Sequence, residues 1–509
     1  MKKRLFSLLL ALLLLALTGC DNLDSTDPLD ELSQFYRQEN EVPDPEPLTA
    51  FTLPYVSGET LDPLTTTDLV QQTVGSLLYE GLFALNEQFQ PEAVLAESYS
   101  YDAAARVWTI TLRSGVKFSD GTALTAQDVA ASLLRAKTSV RYAQRLLCVS
   151  SVAARDNAVV FALSEDVATL PSRLDVPILK SGTENYTVPT GTGPYYFSKD
   201  DSGACLMANP YWTGAGALPV QRIELLHCKD RDSALYAFSS REIQLLALDL
   251  TAADQTGVSG SGDYTDAPTP VMQFIGVNTR REALSDPALR RALSAGLDRE
   301  SLVSSCLLGH ASAAQLPASP AADVYDTALE TAYSAARYEQ LLTAALGEDP
   351  KPLSLTLLVN QENSFKVSAA QEAAYALSTD TLTVTVEEVP WETFLQRLAD
   401  GNFDLYYGEC RLTADWDVSA LVGTGGALNY GGYASETTDA LLSAANGASA
   451  RRGEALTALW RDLLDNAPIL PVCFKSVSVL VTEGVVDGLS PTDSNVFRHL
   501  ESWRIHLDA

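Results

Sequence analysis

Strand-type and helix-type hydrophobic patterns alternate along this chain, and this alternation constrains the fold more than any other feature. In residues 106–113, large apolar side chains alternate with threonines, which predicts a half-buried strand. An Asp120-Gly121 turn follows, and Thr125 with Asp128 then forms the capping sequence of a helix. Because strands and helices are interleaved, the pattern predicts a mixed α/β fold and argues against a helix bundle or an all-β sandwich.

The same signals return later in the chain. A helix is predicted over residues 68–82, with Gly81 near its end. Two others are predicted to begin at the capping segment Ser285-Asp286-Pro287 and at Asp298, and the second of these is expected to end at Gly309.

Near the carboxyl end, the stretch from Leu456 to Leu464 carries a helical apolar stripe that includes Trp460. Residues 469–481 are predicted to form a buried strand. Large apolar groups at these spacings are typical of a core rather than of ligand contacts.

The first residues carry an export signal rather than part of the fold. Basic residues at 2–4 precede an apolar run from Leu5 to Leu17, which is shorter than the ~20 residues that span a bilayer. The run ends in Leu-Thr-Gly-Cys20, which resembles the lipobox of bacterial lipoproteins. Residues 1–19 are therefore predicted to be a lipoprotein signal peptide, with Cys20 as the site of lipid attachment. The alternative is an ordinary secretory signal with an incidental cysteine.

Residues 20–47 are predicted to be an acidic, lipid-anchored tether. They contain nine acidic residues and four prolines against the single cation Arg37. Such a segment repels itself and has too little apolar surface to bury a core. The alternative is a poorly ordered terminus with no function.

The charge and the reactive residues exclude several functions. With 65 acidic against 35 basic residues and a net charge of −30, the chain is not expected to bind nucleic acid. No zinc motif, nucleophile elbow or catalytic cysteine context is present, the four histidines are scattered, and no cysteines form a CxxC pair. We therefore expect no metal site, no cofactor and no catalytic residue. Cys205 and Cys228 flank two strand-like runs and are the candidate disulfide pair.

Ordered segments over residues 50–509 resemble the oligopeptide-, dipeptide- and nickel-binding proteins, the solute-binding proteins of family 5. The segments that carry the resemblance are 78–82 (LYEGL), 91–98 (PEAVLAES), 112–121 (LRSGVKFSDG), 124–129 (LTAQDV), 191–195 (GTGPY), 209–212 (NPYW), 285–300 and 401–404 (GNFD).

This resemblance implies a two-lobed, periplasmic-binding-protein-like α/β fold (class II type, cluster C) with a hinge between the lobes and an inserted small domain. Lobe 1 is expected to comprise residues 48–82, 186–277 and 486–509. Domain II, the inserted small domain, is expected to comprise residues 83–185, and lobe 2 residues 278–485. Gly191 and Gly193 are expected to permit tight backbone packing near a lobe crossing.

In peptide-binding members, an aspartate in a short loop after the Phe-Asp strand pairs with the amino terminus of the ligand. The matching segment is Ala414-Asp415-Trp416. The resemblance therefore implies that Asp415 binds an amine and that Trp416 lies against the first ligand residue. The alternative is that Asp415 caps the following segment. Leu412 and Thr413 stand where peptide binders often carry an aromatic residue, which leaves oligopeptide specificity open.

Four other residues are candidates for the ligand cleft. Tyr430, in a segment similar to the family's Asn-x-x-Gly-Tyr, is expected to line it. Tyr55 and Ser57, at the first lobe crossing, are expected to face it. Arg411 is expected to meet a ligand carboxylate or to be solvated.

The function implied by the resemblance is that of a substrate-binding lipoprotein of an ABC importer. It would capture oligo- or dipeptides between its lobes, as a monomer on the outer face of the bacterial cytoplasmic membrane, and deliver them to permease and ATPase subunits. The alternatives are a binder of another solute such as a chelated metal, a receptor for a signalling peptide, and a secreted hydrolase that uses two carboxylates.

Overall fold

The computed structural model describes residues 47–252, 262–347, 350–447 and 451–508. The predicted signal peptide, Cys20 and all but the last residue of the tether lie outside these ranges. Within them, no helix has both the length and the apolar character needed to cross a membrane.

The chain interleaves strands and helices from end to end. In chain order the strands are β1 Thr52–Tyr55, β2 Phe83–Leu85, β3 Pro91–Ala93, β4 Ala96–Asp102, β5 Val107–Leu112, β6 Val149–Arg155, β7 Ala158–Leu163, β8 Tyr195–Asp200, β9 Gly203–Ala208, β10 Arg222–His227, β11 Leu245–Leu248, β12 Gly262–Val277, β13 Ala311–Ala313, β14 Leu353–Asn360, β15 Leu382–Val389, β16 Leu405–Arg411, β17 Ile469–Thr482, β18 Val486–Asp487 and β19 Arg504–Ile505.

The α-helices are α1 Leu69–Leu78, α2 Ala126–Ala136, α3 Arg231–Ser239, α4 Glu282–Ser285, α5 Pro287–Ala295, α6 Arg299–Cys306, α7 Ala335–Leu346, α8 Ser364–Leu377, α9 Trp391–Ala399, α10 Ser419–Val422, α11 Glu436–Asn446 and α12 Arg452–Asn466. Short 3-10 helices lie at Gln144–Leu146, Leu170–Arg173, Thr327–Leu329 and Leu500–Ser502.

Domain II contains an antiparallel sheet of order β4-β5-β7-β6. The strand predicted at 106–113 is β5, whose residues alternate between buried and half-buried positions as expected. The predicted helix start is also confirmed. Thr125 and Asp128 form a reciprocal capping box at the beginning of α2, with the Thr125 backbone N–H donating to the Asp128 carboxylate at 3.0 Å.

Lobe 1 contains a sheet of order β1-β10-β9-β8, in which β1 runs parallel to β10 and the other pairs are antiparallel. The chain approaches this sheet past the end of α1, where the Gly193 backbone N–H donates to the Leu78 carbonyl at 2.9 Å. A Cβ atom on Gly191 would lie 2.1 Å from the same carbonyl oxygen. The predicted tight packing at Gly191 and Gly193 is therefore confirmed.

The largest sheet has the order β11-β17-β12-β16-β14-β15, with β13 paired to β17. Its two long strands, β12 and β17, pair antiparallel, with register shifts between Pro268 and Met272 and again after Gln273. At one end of this ribbon, Leu480 packs in a core with β11; at the other end, Leu470 packs in a core with α5 and α8. The ribbon of β12 and β17 thus runs from one hydrophobic core to another. The residue boundaries of the lobes stay a prediction.

The disulfide hypothesis is wrong, because both Cys205 and Cys228 are free thiols. Cys205 lies opposite Glu224 in the register of β9 and β10, and Cys228 comes four residues farther along that strand direction. Four residues of strand extend roughly 13 Å, well beyond the ~7 Å limit for the Cα atoms of a disulfide.

Candidate functional site

The loop that follows β16 carries Asp415 and turns back sharply at the next residue. The Trp416 backbone N–H donates to the Thr413 carbonyl at 2.9 Å, and Trp416 has a φ of 62°, in the left-handed region. The carboxylate of Asp417, not that of Asp415, accepts the Ser419 backbone N–H at 2.9 Å and leads the chain into α10. The alternative in which Asp415 caps the following segment is therefore wrong.

The carboxylate of Asp415 points instead into domain II. Its Oδ2 atom accepts hydrogen bonds from Arg173 Nε at 2.8 Å and from Thr169 Oγ1 at 2.6 Å. Its Oδ1 atom is buried and has no hydrogen-bond partner among the described residues. A second ion pair, Arg173 Nη2 to Asp417 Oδ2 at 3.1 Å, lies beside the first. Domain II and lobe 2 are thus joined by buried charges.

The charges at this junction keep the carboxylate of Asp417 ionised. Burial on its own would raise the pKa of Asp417, but the Arg173 guanidinium and hydrogen bonds from Ser419 outweigh it and hold the pKa below its ordinary value. Arg452 supports the loop from behind, because its Nη2 donates to the Asp415 carbonyl at 2.8 Å.

Trp416 is buried in an aromatic cluster at the same junction. Its ring centroid lies 5.0 Å from that of Phe89 and 5.7 Å from that of Phe474, in edge-to-face contacts. Phe89 belongs to the turn between β2 and β3, so domain II inserts an aromatic side chain into the core of lobe 2. The indole therefore contacts protein rather than open space.

Arg411 connects lobe 2 to the carboxyl-terminal segment of lobe 1. Its guanidinium forms a bidentate ion pair with Asp493, at 2.5 and 3.1 Å. Burial alone would raise the pKa of Asp493, but Arg411 lowers it below the ordinary range. Arg411 is therefore engaged by a carboxylate of the protein itself.

The remaining predicted residues lie apart from Asp415. Tyr430 is half-buried, and its ring centroid lies 6.2 Å from that of Tyr406. Tyr55 ends β1 and packs edge-on against His227, whose Nδ1 atom accepts the Ser57 backbone N–H at 3.0 Å. None of these side chains shares a hydrogen bond, ion pair or ring contact with Asp415 or its neighbour Trp416 in the described part of the chain.

A cavity of about 260 Å³ lies between α1, domain II and the carboxyl-terminal segment, and Asp493 is one of its lining residues. Glu80 and Trp212 form one wall, with Trp212 Nε1 donating to the Glu80 carboxylate at 3.0 Å. Burial raises the pKa of Glu80. Because Asp493 both lines this cavity and pairs with Arg411, the cavity lies next to the Arg411–Asp493 ion pair.

Two arginines of domain II also line this cavity. Arg145 pairs with Asp175 at 2.5 Å, whereas the guanidinium of Arg141 forms no ion pair among the described residues and lies 5.2 Å from the centre of the Tyr142 ring. The positive charge of Arg141 instead helps to lower the pKa of Asp493, which lines the same cavity. The described ranges contain no cluster of three His, Cys, Asp or Glu side chains that would hold a metal ion.

Sequence reasoning missed the residues of domain II that meet the Asp415 loop. Arg173 and Thr169 belong to no motif, and Phe89 lies in a hairpin of ordinary composition. One signal for Arg173 was present: it stands between Leu170 and Leu174, and a guanidinium that is buried with such neighbours requires an anionic partner.

Comparison with known proteins assigns the chain to a family. The model of the bacterial extracellular solute-binding proteins, family 5, matches residues 90–424, which is more than half of the chain. This protein belongs to that family.

Family 5 relatives match half to three quarters of the chain at low identity. The oligopeptide-binding protein AppA of Bacillus subtilis is 26% identical over 434 residues, covering 76% of this chain and 79% of AppA. The glutathione-binding protein GsiB of Escherichia coli K12 is 26% identical over 272 residues, covering 50% of this chain and 53% of GsiB.

Solved structures of family 5 type share the fold. CtaP, an ABC transporter substrate-binding protein of Listeria monocytogenes, superposes with a TM-score of 0.71 at 19% identity, covering 90% of this chain and 100% of CtaP. The predicted two-lobed α/β fold of the family 5 type is therefore confirmed.

Proposed function

We propose that this family 5 protein is the lipid-anchored, extracytoplasmic binding subunit of an ABC importer, and that it captures peptides between its two lobes. The observation that carries the peptide assignment is the carboxylate of Asp415, buried where domain II meets lobe 2. The amino terminus of a peptide is an ammonium, and a desolvated carboxylate is strongly stabilised by such a cation. The similarity to relatives named for oligopeptide and glutathione binding supports a cargo of this size and chemistry.

Capture rests on closure of the lobes. Asp415 lies in lobe 2, whereas Tyr55 and the cavity-lining Arg141 belong to lobe 1 and domain II. A ligand that touches both sides gains its full set of contacts only when the lobes meet, so binding shifts the population towards the closed form. The closed form then presents both lobes to the permease subunits, which work with the ATPase subunits.

Peptide binding is tested with free-amine tripeptides and their N-acetylated counterparts, by thermal shift and intrinsic tryptophan fluorescence. We expect the free-amine peptides to stabilise the mature protein. We expect Asp415→Asn to weaken them by roughly tenfold to hundredfold, the effect of one charged hydrogen bond, and to affect the acetylated peptides far less.

The matched control is Asp62→Asn. Asp62 is also a buried carboxylate paired with an arginine, Arg135, but this pair joins α2 to lobe 1 and not to lobe 2. It should leave the preference for free amines unchanged. Equal losses for both peptide classes in Asp415→Asn would remove the role of Asp415, and the absence of stabilisation by any peptide would refute the peptide assignment.

Membrane attachment depends on Cys20. We expect Cys20→Ser to abolish incorporation of labelled palmitate and to move the protein from the membrane fraction to the extracytoplasmic soluble fraction, because a serine hydroxyl does not replace the acylated thiol. Fractionation of cells followed by immunoblotting measures this. A variant that stays in the membrane fraction would contradict the lipid anchor.

A further inference from the structure

Arg173 is the cation that faces Asp415 across the junction between domain II and lobe 2. It ends the 3-10 helix Leu170–Arg173, and its side chain is 4% exposed, while that of Asp415 is 1% exposed. Its Nε atom lies 2.8 Å from the Asp415 carboxylate, the distance of a charge-assisted hydrogen bond. Since water is excluded, each charge depends on the other for its stabilisation.

The guanidinium of Arg173 uses all three of its nitrogens in this position. Nη2 pairs with Asp417 at 3.1 Å, and Nη1 donates to the Cys148 thiol sulfur at 3.7 Å. Burial acts to lower the pKa of Arg173, but the carboxylates, Asp415 first among them, raise it above the ordinary value. The side chain therefore remains charged.

The charges around Asp415 are already balanced by the protein. Asp415 and Asp417 are met by Arg173, and a second guanidinium, that of Arg452, donates to the backbone carbonyls of Asp415 and Ala445. An additional ammonium would be a third cation beside two anions, one of which, Asp415, is only 1% exposed. Asp415 also does not line the 260 Å³ cavity. An amine therefore reaches this carboxylate only in place of Arg173.

We propose that Arg173 is the protein's own substitute for a ligand ammonium at Asp415, and that it determines specificity by competing with free-amine ligands for this carboxylate. This inference rests on the proposed function. An intramolecular partner acts at high effective concentration, so a ligand amine that displaces Arg173 from Asp415 gains less affinity than it would at an unpaired carboxylate. Replacing Arg173 with a neutral side chain leaves a buried carboxylate that requires a cation.

The test compares wild type, Arg173→Met and the double variant Arg173→Met/Asp415→Asn with tri-alanine and N-acetyl-tri-alanine. The readout is the ratio of the two dissociation constants, because any general effect on closure cancels in it. We expect Arg173→Met to raise the preference for the free amine by about tenfold to hundredfold, and the double variant to abolish it. Arg135→Met, which breaks the buried pair with Asp62 elsewhere, should leave the ratio at its wild-type value.

A ratio that is unchanged in Arg173→Met would overturn the inference and leave Arg173 as a purely structural contact. If neither peptide binds any variant, the peptide assignment is refuted, and a second measurement tests the role of Arg173. The thermal midpoint of Arg173→Ala should then rise with propylammonium chloride and not with 1-propanol or sodium chloride. No cation-specific rise would overturn the inference.

Discussion

Replacing Phe89 by alanine is expected to weaken the contact between domain II and lobe 2 and to populate more open arrangements of the ligand-free protein. Phe89 is buried against Trp416 and Phe474, yet its own strand pair, β2 and β3, belongs to domain II. Truncation of a buried phenylalanine removes about 3–5 kcal/mol. Here that loss falls on the arrangement in which Phe89 contacts lobe 2, because the rings lose this contact when domain II and lobe 2 move apart. Small-angle X-ray scattering should show a larger radius of gyration.

Phe161→Ala is the matched control for this prediction. Phe161 is fully buried within domain II, where β7 pairs with β5 and β6. Its truncation should lower the free energy of unfolding by a similar ~3–5 kcal/mol without changing the radius of gyration of the folded protein. If Phe89→Ala keeps the wild-type radius, the hairpin contact does not hold the lobes together.

Gly191→Ala is expected to destabilise the folded state by about 3 kcal/mol or more. The added Cβ atom would lie 2.1 Å from the Leu78 carbonyl oxygen and 2.5 Å from the Tyr79 ring. The carbonyl belongs to the backbone at the end of α1, and it already accepts the Gly193 N–H. The clash cannot be relieved by rotating a side chain. Urea unfolding followed by circular dichroism measures the loss.

Gly453→Ala provides the comparison. Gly453 lies in the first turn of α12, and no atom lies within 4 Å of the position where its Cβ would be. Alanine in a helix is favoured over glycine by roughly 0.5–1 kcal/mol, so this variant should be slightly more stable than wild type. If Gly191→Ala is as stable as Gly453→Ala, the prediction is wrong, because the backbone at the end of α1 then moves to accommodate the added Cβ atom at little cost.

The starts of helices could be predicted from the sequence because a cap acts within a few residues. Asp68 accepts the Gln71 N–H at 2.9 Å at the start of α1, and Asp286 accepts the Ala288 N–H at 2.8 Å before α5. Both starts are confirmed, since no distant part of the chain is needed to form them.

The ends of helices depend on tertiary contacts, and they were predicted less well. The first helix ends at Leu78 and does not reach Gly81, because Gly81 pairs with Pro177 in a β-bridge and the Glu80 carbonyl accepts the Ile178 N–H at 2.9 Å. These partners lie about a hundred residues away. Local patterns contain no information about them.

The candidate site shows the same division. The position of Asp415 in a loop after a strand follows from the local motif, and so does its neighbour Trp416. Their partners Arg173 and Phe89 were not predicted, because they come from domain II, far away in the sequence. Charge pairing across a junction is specified by the whole fold, so only the structure reveals that the candidate carboxylate already has a cation.

The ribbon of β12 and β17 has a consequence for engineering. The chain enters lobe 2 along β12 and leaves it along β17, and these strands are hydrogen-bonded to each other. Residues 272–474, whose ends Met272 and Phe474 are paired across the ribbon, therefore form a cassette whose two covalent attachments lie side by side. Exchanging this cassette between relatives would transplant the Asp415 loop in one piece while the ends of the chain stay where they are. Because Arg173 remains behind in domain II, such chimaeras would separate a carboxylate from its native counter-ion by recombination alone.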